Sequence, residues 1–229
     1  MAETAHILLL ATDGTHSPAP PDFERLCGYA GWARLHPAIR RRFSNHNLRV
    51  TYPGKLAVQS SLFGLVFAWL LQPFGNPLPL TRTRVFKAEV KVRPESRHEG
   101  GGVVWQRNFL RPDNAPLRIE SVKQLGNDGN LMECIRPGIL GGIGMGLRVY
   151  ERDGALNFAS QNYFITWGKW RLPISLWLTP GRTLVEHIDE SHLDGGQGKF
   201  RFRLTMTHPL FGRTILQDGV FTDPFGGDG

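Results

Sequence analysis

Two charged residues fall among apolar neighbours in segments that read as strands. In Trp105-Gln106-Arg107-Asn108-Phe109, strand alternation puts Trp105, Arg107 and Phe109 on one face. In Leu131-Met132-Glu133-Cys134-Ile135 it puts Glu133 on one face with Leu131 and Ile135. A guanidinium between two rings either stacks outward over exposed aromatics or points inward. If inward it requires a counter-charge, because an unpaired buried ion is strongly unfavourable. Glu133 is the partner the sequence offers. A buried Arg107–Glu133 pair would be a structural ion pair, or a functional one in which Arg107 presents donors to an acidic or carbonyl-bearing ligand. In an enzyme the same pair would do acid/base or orienting work.

Aromatic residues concentrate in a second stretch, with Tyr163, Phe164, Trp167, Trp170 and Trp177. Core packing is the default reading of such a run. A cavity lined by rings would instead suit a flat or lipid-like ligand. The candidate ligand-binding set is therefore Trp105, Arg107, Phe109, Glu133, Tyr163 and Trp167, with Trp69 added from an uncharged run discussed below.

Other groupings carry less chemistry. In VEHIDESHLD, His187 and Asp189 share one strand face, while Glu186, Glu190 and His192 share the other. A metal site needs three or four converging ligands, and no second His or Cys cluster accompanies this one. It reads as a solvated, charged strand end, and no metal is expected. The glycine-rich GILGGIGMG run (Gly138–Gly146) is followed by LRVYERDG, a strand and a turn. A dinucleotide loop would lead into a helix, so these glycines read as a bend, a bulge or close strand packing. There is no GxSxG elbow, HExxH helix or P-loop. Neither a reaction nor a cofactor is indicated.

The formal net charge of +7 admits anionic partners. The basic residues are dispersed, however, with Arg40–Arg42 the densest cluster and no basic-aromatic repeat, so nucleic-acid binding is not expected. Cys27 and Cys134 stand far apart and form no disulfide framework, which suggests a reducing compartment. The start MAETAHILLLATDG carries Glu3 and only a short apolar run, unlike a secretory signal. A cytoplasmic location is expected.

The elements that must hold these residues follow from periodicity. Residues 1–20 read as a loose tail, residues 21–222 as one β-rich domain and residues 223–229 as a flexible end. Apolar residues recur at helical steps from Phe23 to Phe43, which predicts two short helices. Next comes Ser60–Leu80, a run without charge whose kernel, Leu62–Leu71, has ten residues. A bilayer span takes roughly twenty, so this is no transmembrane helix, although peripheral membrane contact stays open. Being apolar all round, it reads as a buried helix or one lying against an interface or ligand, and the protein's own curved sheet is expected to shield it.

From Val85 onward the period is two. Phe86, Ala88 and Val90 alternate with Lys87, Glu89 and Lys91, and Phe200, Phe202, Leu204 and Met206 alternate with Lys199, Arg201, Arg203 and Thr205. Many strands joined by turn-length links should curl. The expected fold is α+β and mainly antiparallel β: a strongly curved sheet or closed barrel, lipocalin-like or helix-grip-like, with two or three N-terminal helices.

The order of motifs resembles a bacterial domain family of unknown function. The resemblance rests on PGKLAVQ (Pro53–Gln59), LFGLVFAWLLQP, WQRNF (Trp105–Phe109), LMECIRPG (Leu131–Gly138), WRLPISLWLTP (Trp170–Pro180) and GKFRFRLTMTHPLFG (Gly198–Gly212). It covers roughly Phe23 to Phe221. Members of that family are sometimes fused behind nicotinamide-binding dehydrogenase-like domains, which implies a substrate-holding role beside a dehydrogenase-like partner. Three functions therefore stand: binding of a small hydrophobic or lipid-like molecule, an enzyme or its substrate-holding half, and a structural interaction module.

Overall fold

Alternation of large apolar and polar residues gives the chain strands with one dry face, and that face closes on itself. A computed structural model describes residues 21–44, 49–95, 101–110, 116–168, 170–194 and 198–225. The tail expected over residues 1–20 lies outside them, as do residues 226–229 of the C-terminal end. The strands are β1 (Val50–Ser60), β2 (Thr83–Pro94), β3 (Val103–Leu110), β4 (Leu117–Leu125), β5 (Leu131–Ile135) and β6 (Gly142–Arg152). They continue with β7 (Ala155–Trp167), β8 (Trp170–Ile174), β9 (Arg182–Asp189), β10 (Lys199–His208) and β11 (Gly212–Thr222).

All pairings between these strands are antiparallel. The first strand pairs with the last, Gly54 opposite Phe221 and Ser60 opposite Ile215. With β6 also joined to β7, ten strands form a closed barrel and β8 is an extra strand hydrogen-bonded only to β7. Closure satisfies the ladder groups that an open sheet would leave at its edges.

Near its middle β7 divides its partners. Leu156–Ala159 pair with β9, whereas Tyr163–Trp167 pair with β8. Tyr163 stitches this seam. Its hydroxyl lies 2.7 Å from the Gly181 carbonyl oxygen and 2.7 Å from Thr183 Oγ1.

Three helices, α1 (Phe23–Cys27), α2 (Tyr29–Arg34) and α3 (Pro37–Ser44), close one end of the barrel. Asp22 caps α1 through the Arg25 amide, and Gly28 at φ 79° breaks what the sequence suggested was one helix into two. Phe23, Leu35, Ile39 and Phe43 are all buried against the barrel core. At the other end sits α4 (Leu62–Leu70), with the Ser61 hydroxyl accepting from the Gly64 amide as its cap.

The sheet does not shield α4. Only Gly64 and Ala68 of this helix are buried, while Leu62 and Trp69 are 65% and 66% exposed. The reason is local. A Cβ on Gly64 would collide with the Thr214 carbonyl oxygen, so the helix meets β11 through its smallest residue and its large side chains face out. Among the described residues no helix is long and apolar enough to cross a membrane.

Candidate functional site

Inward-facing residues of β2–β7 and β9–β11 leave a cavity of about 80 Å³ inside the barrel. That is room for several water molecules or a small organic group. Its walls are mostly apolar and aromatic. Leu71, Pro77 and Leu78 close the end beside α4, so the segment after the apolar helix, and not the helix itself, caps the space. At the helical end Phe43 of α3 packs against two lining residues, its ring 5.7 Å from Trp105 and 4.9 Å from His187.

The polar lining comes from three adjacent strands and from β9. Alternation on β3 brings Trp105 and Arg107 to the lining and leaves Phe109 fully buried in the neighbouring core. On β4, Ile119 is fully buried, and Ser121 and Lys123 share its face. Glu133 on β5 pairs in register with Lys123.

The outcome differs from a simple Arg107–Glu133 pair. Glu133 is bound by Lys123, with Nζ 2.9 Å from Oε2, and by the Ser121 hydroxyl, which donates to Oε1 at 2.6 Å. Lys123 Nζ also lies 5.0 Å from the Trp105 ring and 5.5 Å from the Phe158 ring. Arg107 feels the Glu133 charge, yet its guanidinium makes no hydrogen bond or ion pair with any described residue.

The electrostatics follow. Burial pushes the Arg107 pKa down, and Glu133 offsets this only in part. Burial likewise lowers that of Lys123, again against the pull of Glu133. For Glu133 burial acts upward, but Lys123, Arg107 and the hydrogen bonds from Ser121 and Lys123 outweigh it and hold the carboxyl below its usual range. The cluster carries two cations and one carboxylate. One positive charge is left over.

His187 is the residue that the sequence pattern misplaced. It is not on a solvated strand end but fully enclosed, 3% exposed, with rings of Phe43, Trp105, Phe158 and Phe202 around it. Burial, reinforced by Lys123 and Arg42, lowers its pKa well below the ordinary value, so it is neutral at pH 7. Its Nδ1 and the Trp105 Nε1 are both buried without a hydrogen-bond partner among the described residues. Such atoms are rare in native interiors.

Of the candidate set, then, Trp105, Arg107, Glu133 and Tyr163 line the cavity together. Phe109 packs beside it. Trp167 and Trp69 sit on the outside, 58% and 66% exposed. Sequence reasoning passed over Ser121, Lys123 and His187. Among the described residues no three His, Cys, Asp or Glu side chains converge as metal ligands.

The glycine run behaves as close packing. Gly144 lines the cavity on β6, and a Cβ there would strike the Phe164 ring. Between Gly146 and Leu147 the β6–β7 register shifts by a bulge.

Residues 35–221 match the model of a domain of unknown function, DUF4166, and the chain belongs to that family. No curated protein sequence matches it.

Proposed function

We propose that this DUF4166 domain binds a small, largely apolar molecule bearing an acidic or carbonyl group, with the apolar part in the barrel cavity and the polar group at Arg107. The observation that carries the reading is the surplus positive charge. Lys123 and Ser121 already satisfy Glu133, and Arg107, enclosed and facing the cavity, has no anion of its own. A guanidinium cannot shed its proton to relieve this, so an anionic or carbonyl oxygen is the group that would complete it. Trp105 Nε1 on the same strand and His187 Nδ1 on β9, opposite β3 in the ten-strand ring, are further buried polar atoms without hydrogen-bond partners among the described residues. The remaining lining is apolar or aromatic, which favours burial of hydrocarbon at about 25 cal/mol per Å² before ordering costs.

The acid/base alternative built on Arg107 and Glu133 has less support, because a carboxylate held ionised by Lys123 and Ser121 is a poor proton donor near neutrality. The test is a titration with medium-chain carboxylates against the matching alcohols. The wild-type protein should prefer the carboxylate by about ten- to a hundredfold, the worth of a charged hydrogen bond. Arg107→Met should erase that preference while still binding the alcohol. Equal affinity of the wild-type protein for acid and alcohol would overturn the reading.

A further inference from the structure

The outer surface at the α4 end has a composition of its own. On α4, Leu62, Val66 and Trp69 are more than half exposed, and Phe63 is 48% exposed. The β10–β11 turn adds Leu210 and Phe211, the short turn after β8 adds Trp177 and Leu178, and the β7–β8 turn adds Trp167 and Trp170. Ile139 and Leu140 extend from the β5–β6 link.

Contacts join these pieces into one surface. The rings of Phe63 and Phe211 stack at 3.8 Å, Phe211 stacks on His208 at 4.5 Å, and His208 meets Trp177 at 5.8 Å. On the other side the Leu140 amide donates to the Pro73 carbonyl oxygen just after α4. Gly141 lies against the backbone of Thr166 and Trp167.

The described segments that carry these side chains have charge of a single sign. Residues 61–84, 136–141, 166–182 and 207–214 contain no Asp or Glu at all. They contain Arg82, Arg84, Arg182 and Arg213, all exposed, with Arg171 partly so and Arg136 paired with Glu120 of β4. Elsewhere the surface carries both signs, as in the Arg34–Glu151 pair at 2.7 Å and the Arg201–Asp218 pair at 3.5 Å.

We infer that this end of the barrel docks on the surface of an anionic lipid bilayer, with α4 and the tryptophan-bearing turns entering the headgroup region and the arginines meeting lipid phosphates. Exposed Trp and aliphatic side chains rimmed by Arg, without carboxylates, are what an anionic interface selects. A protein partner would select a surface with opposing charges paired around its rim. The fold also gives the docking a use, because Leu71, Pro77, Leu78 and Pro180 belong both to this end and to the cavity lining. The inference rests on the outer surface alone and does not require the cavity to hold the ligand proposed above.

The experiment is co-sedimentation of the full chain with vesicles of phosphatidylcholine alone and with one third phosphatidylserine. Binding to the anionic vesicles, weakened by salt and near background on the neutral ones, is the expected result. Arg82→Glu/Arg84→Glu/Arg213→Glu should lower vesicle affinity by about a hundredfold or more, at about 1 kcal/mol for each arginine lost. Leu62→Asp/Val66→Asp changes only exposed side chains and should also release the protein from vesicles. Circular dichroism and carboxylate binding in vesicle-free solution should stay unchanged, which shows that the variant is folded. Arg107→Met should do the reverse, losing carboxylate preference and keeping vesicle binding. No binding of the wild type to anionic vesicles, equal binding by the Asp variant, or a wild-type dimer in light scattering that the Asp variant abolishes would overturn the inference.

Discussion

Arg42 and Arg107 are both enclosed arginines, one packed at the helical end and one lining the cavity, and they are treated differently by the regions that hold them. At the helical end Arg42 has a side chain 3% exposed, its guanidinium 4.0 Å above the Phe200 ring and its Nε 3.1 Å from Asp223. Asp189 stands 3.9 Å away as a second anion. In the cavity Arg107 has neither a carboxylate in contact nor a hydrogen bond to any described residue. The first has its counter-charge within the chain, although Nη1 and Nη2 of Arg42 make no hydrogen bond among the described residues. The second leaves a cation with no contacting anion among the described residues. On the binding function proposed above, charge matching separates an ion that holds the fold together from one held ready for a ligand.

The sharpest way to break this comparison is to remove each arginine and measure stability. Arg42→Ala strands Asp223 in the interior and should destabilise the domain by about 3–5 kcal/mol in urea unfolding. A change below about 1 kcal/mol would mean that the helical end is not closed by this pair.

A second measurement probes where the two regions meet, at His187. Its folded pKa is depressed, so below the ordinary histidine value of about 6.5 the unfolded chain takes up a proton that the folded chain refuses. Stability from this group is therefore full above that value and falls as the pH drops toward the folded pKa. Between pH 6.5 and 5 the loss should approach about 1.4 kcal/mol per pH unit, and His187→Phe should flatten it. An unaltered slope in the variant would assign the acid sensitivity to other groups.

The smallest effect is expected from Arg107→Met. Replacing an unpaired buried cation by a thioether of similar length should change stability by less than about 1 kcal/mol, or raise it. A loss comparable with that of Arg42→Ala would erase the contrast and make the cavity cluster structural.

Much of the barrel was legible because period-two patterns record which face is dry. Phe86, Ala88 and Val90 are buried as their alternation with lysines implies, and Phe200, Leu204 and Met206 likewise. The same logic brought Arg107 and Glu133 to one interior. It also contained Lys123, two residues beyond Ser121 and four beyond Ile119, but a lysine is read as solvated unless its partner is known. His187 was harder. Its strand carries apolar side chains on both faces, Val185 inward and Leu184 and Ile188 on the other, so alternation names no dry side. The helix α4 shows the limit most plainly. An all-apolar helix demands cover, and sequence cannot distinguish cover by the same chain from cover by another surface. Its one small face, Gly64 and Ala68, decided the matter.

The barrel is sealed by β1 lying against β11, the earliest strand against the latest. On a ribosome, β1 through β10 would emerge with that flank of the ladder still open, and no arrangement of them completes the ring. Closure must wait for residues up to Phe221, and it joins positions more than a hundred and fifty apart in the chain. Folding should consequently be slow and late, with an exposed β1 as the segment most in need of protection until its partner arrives.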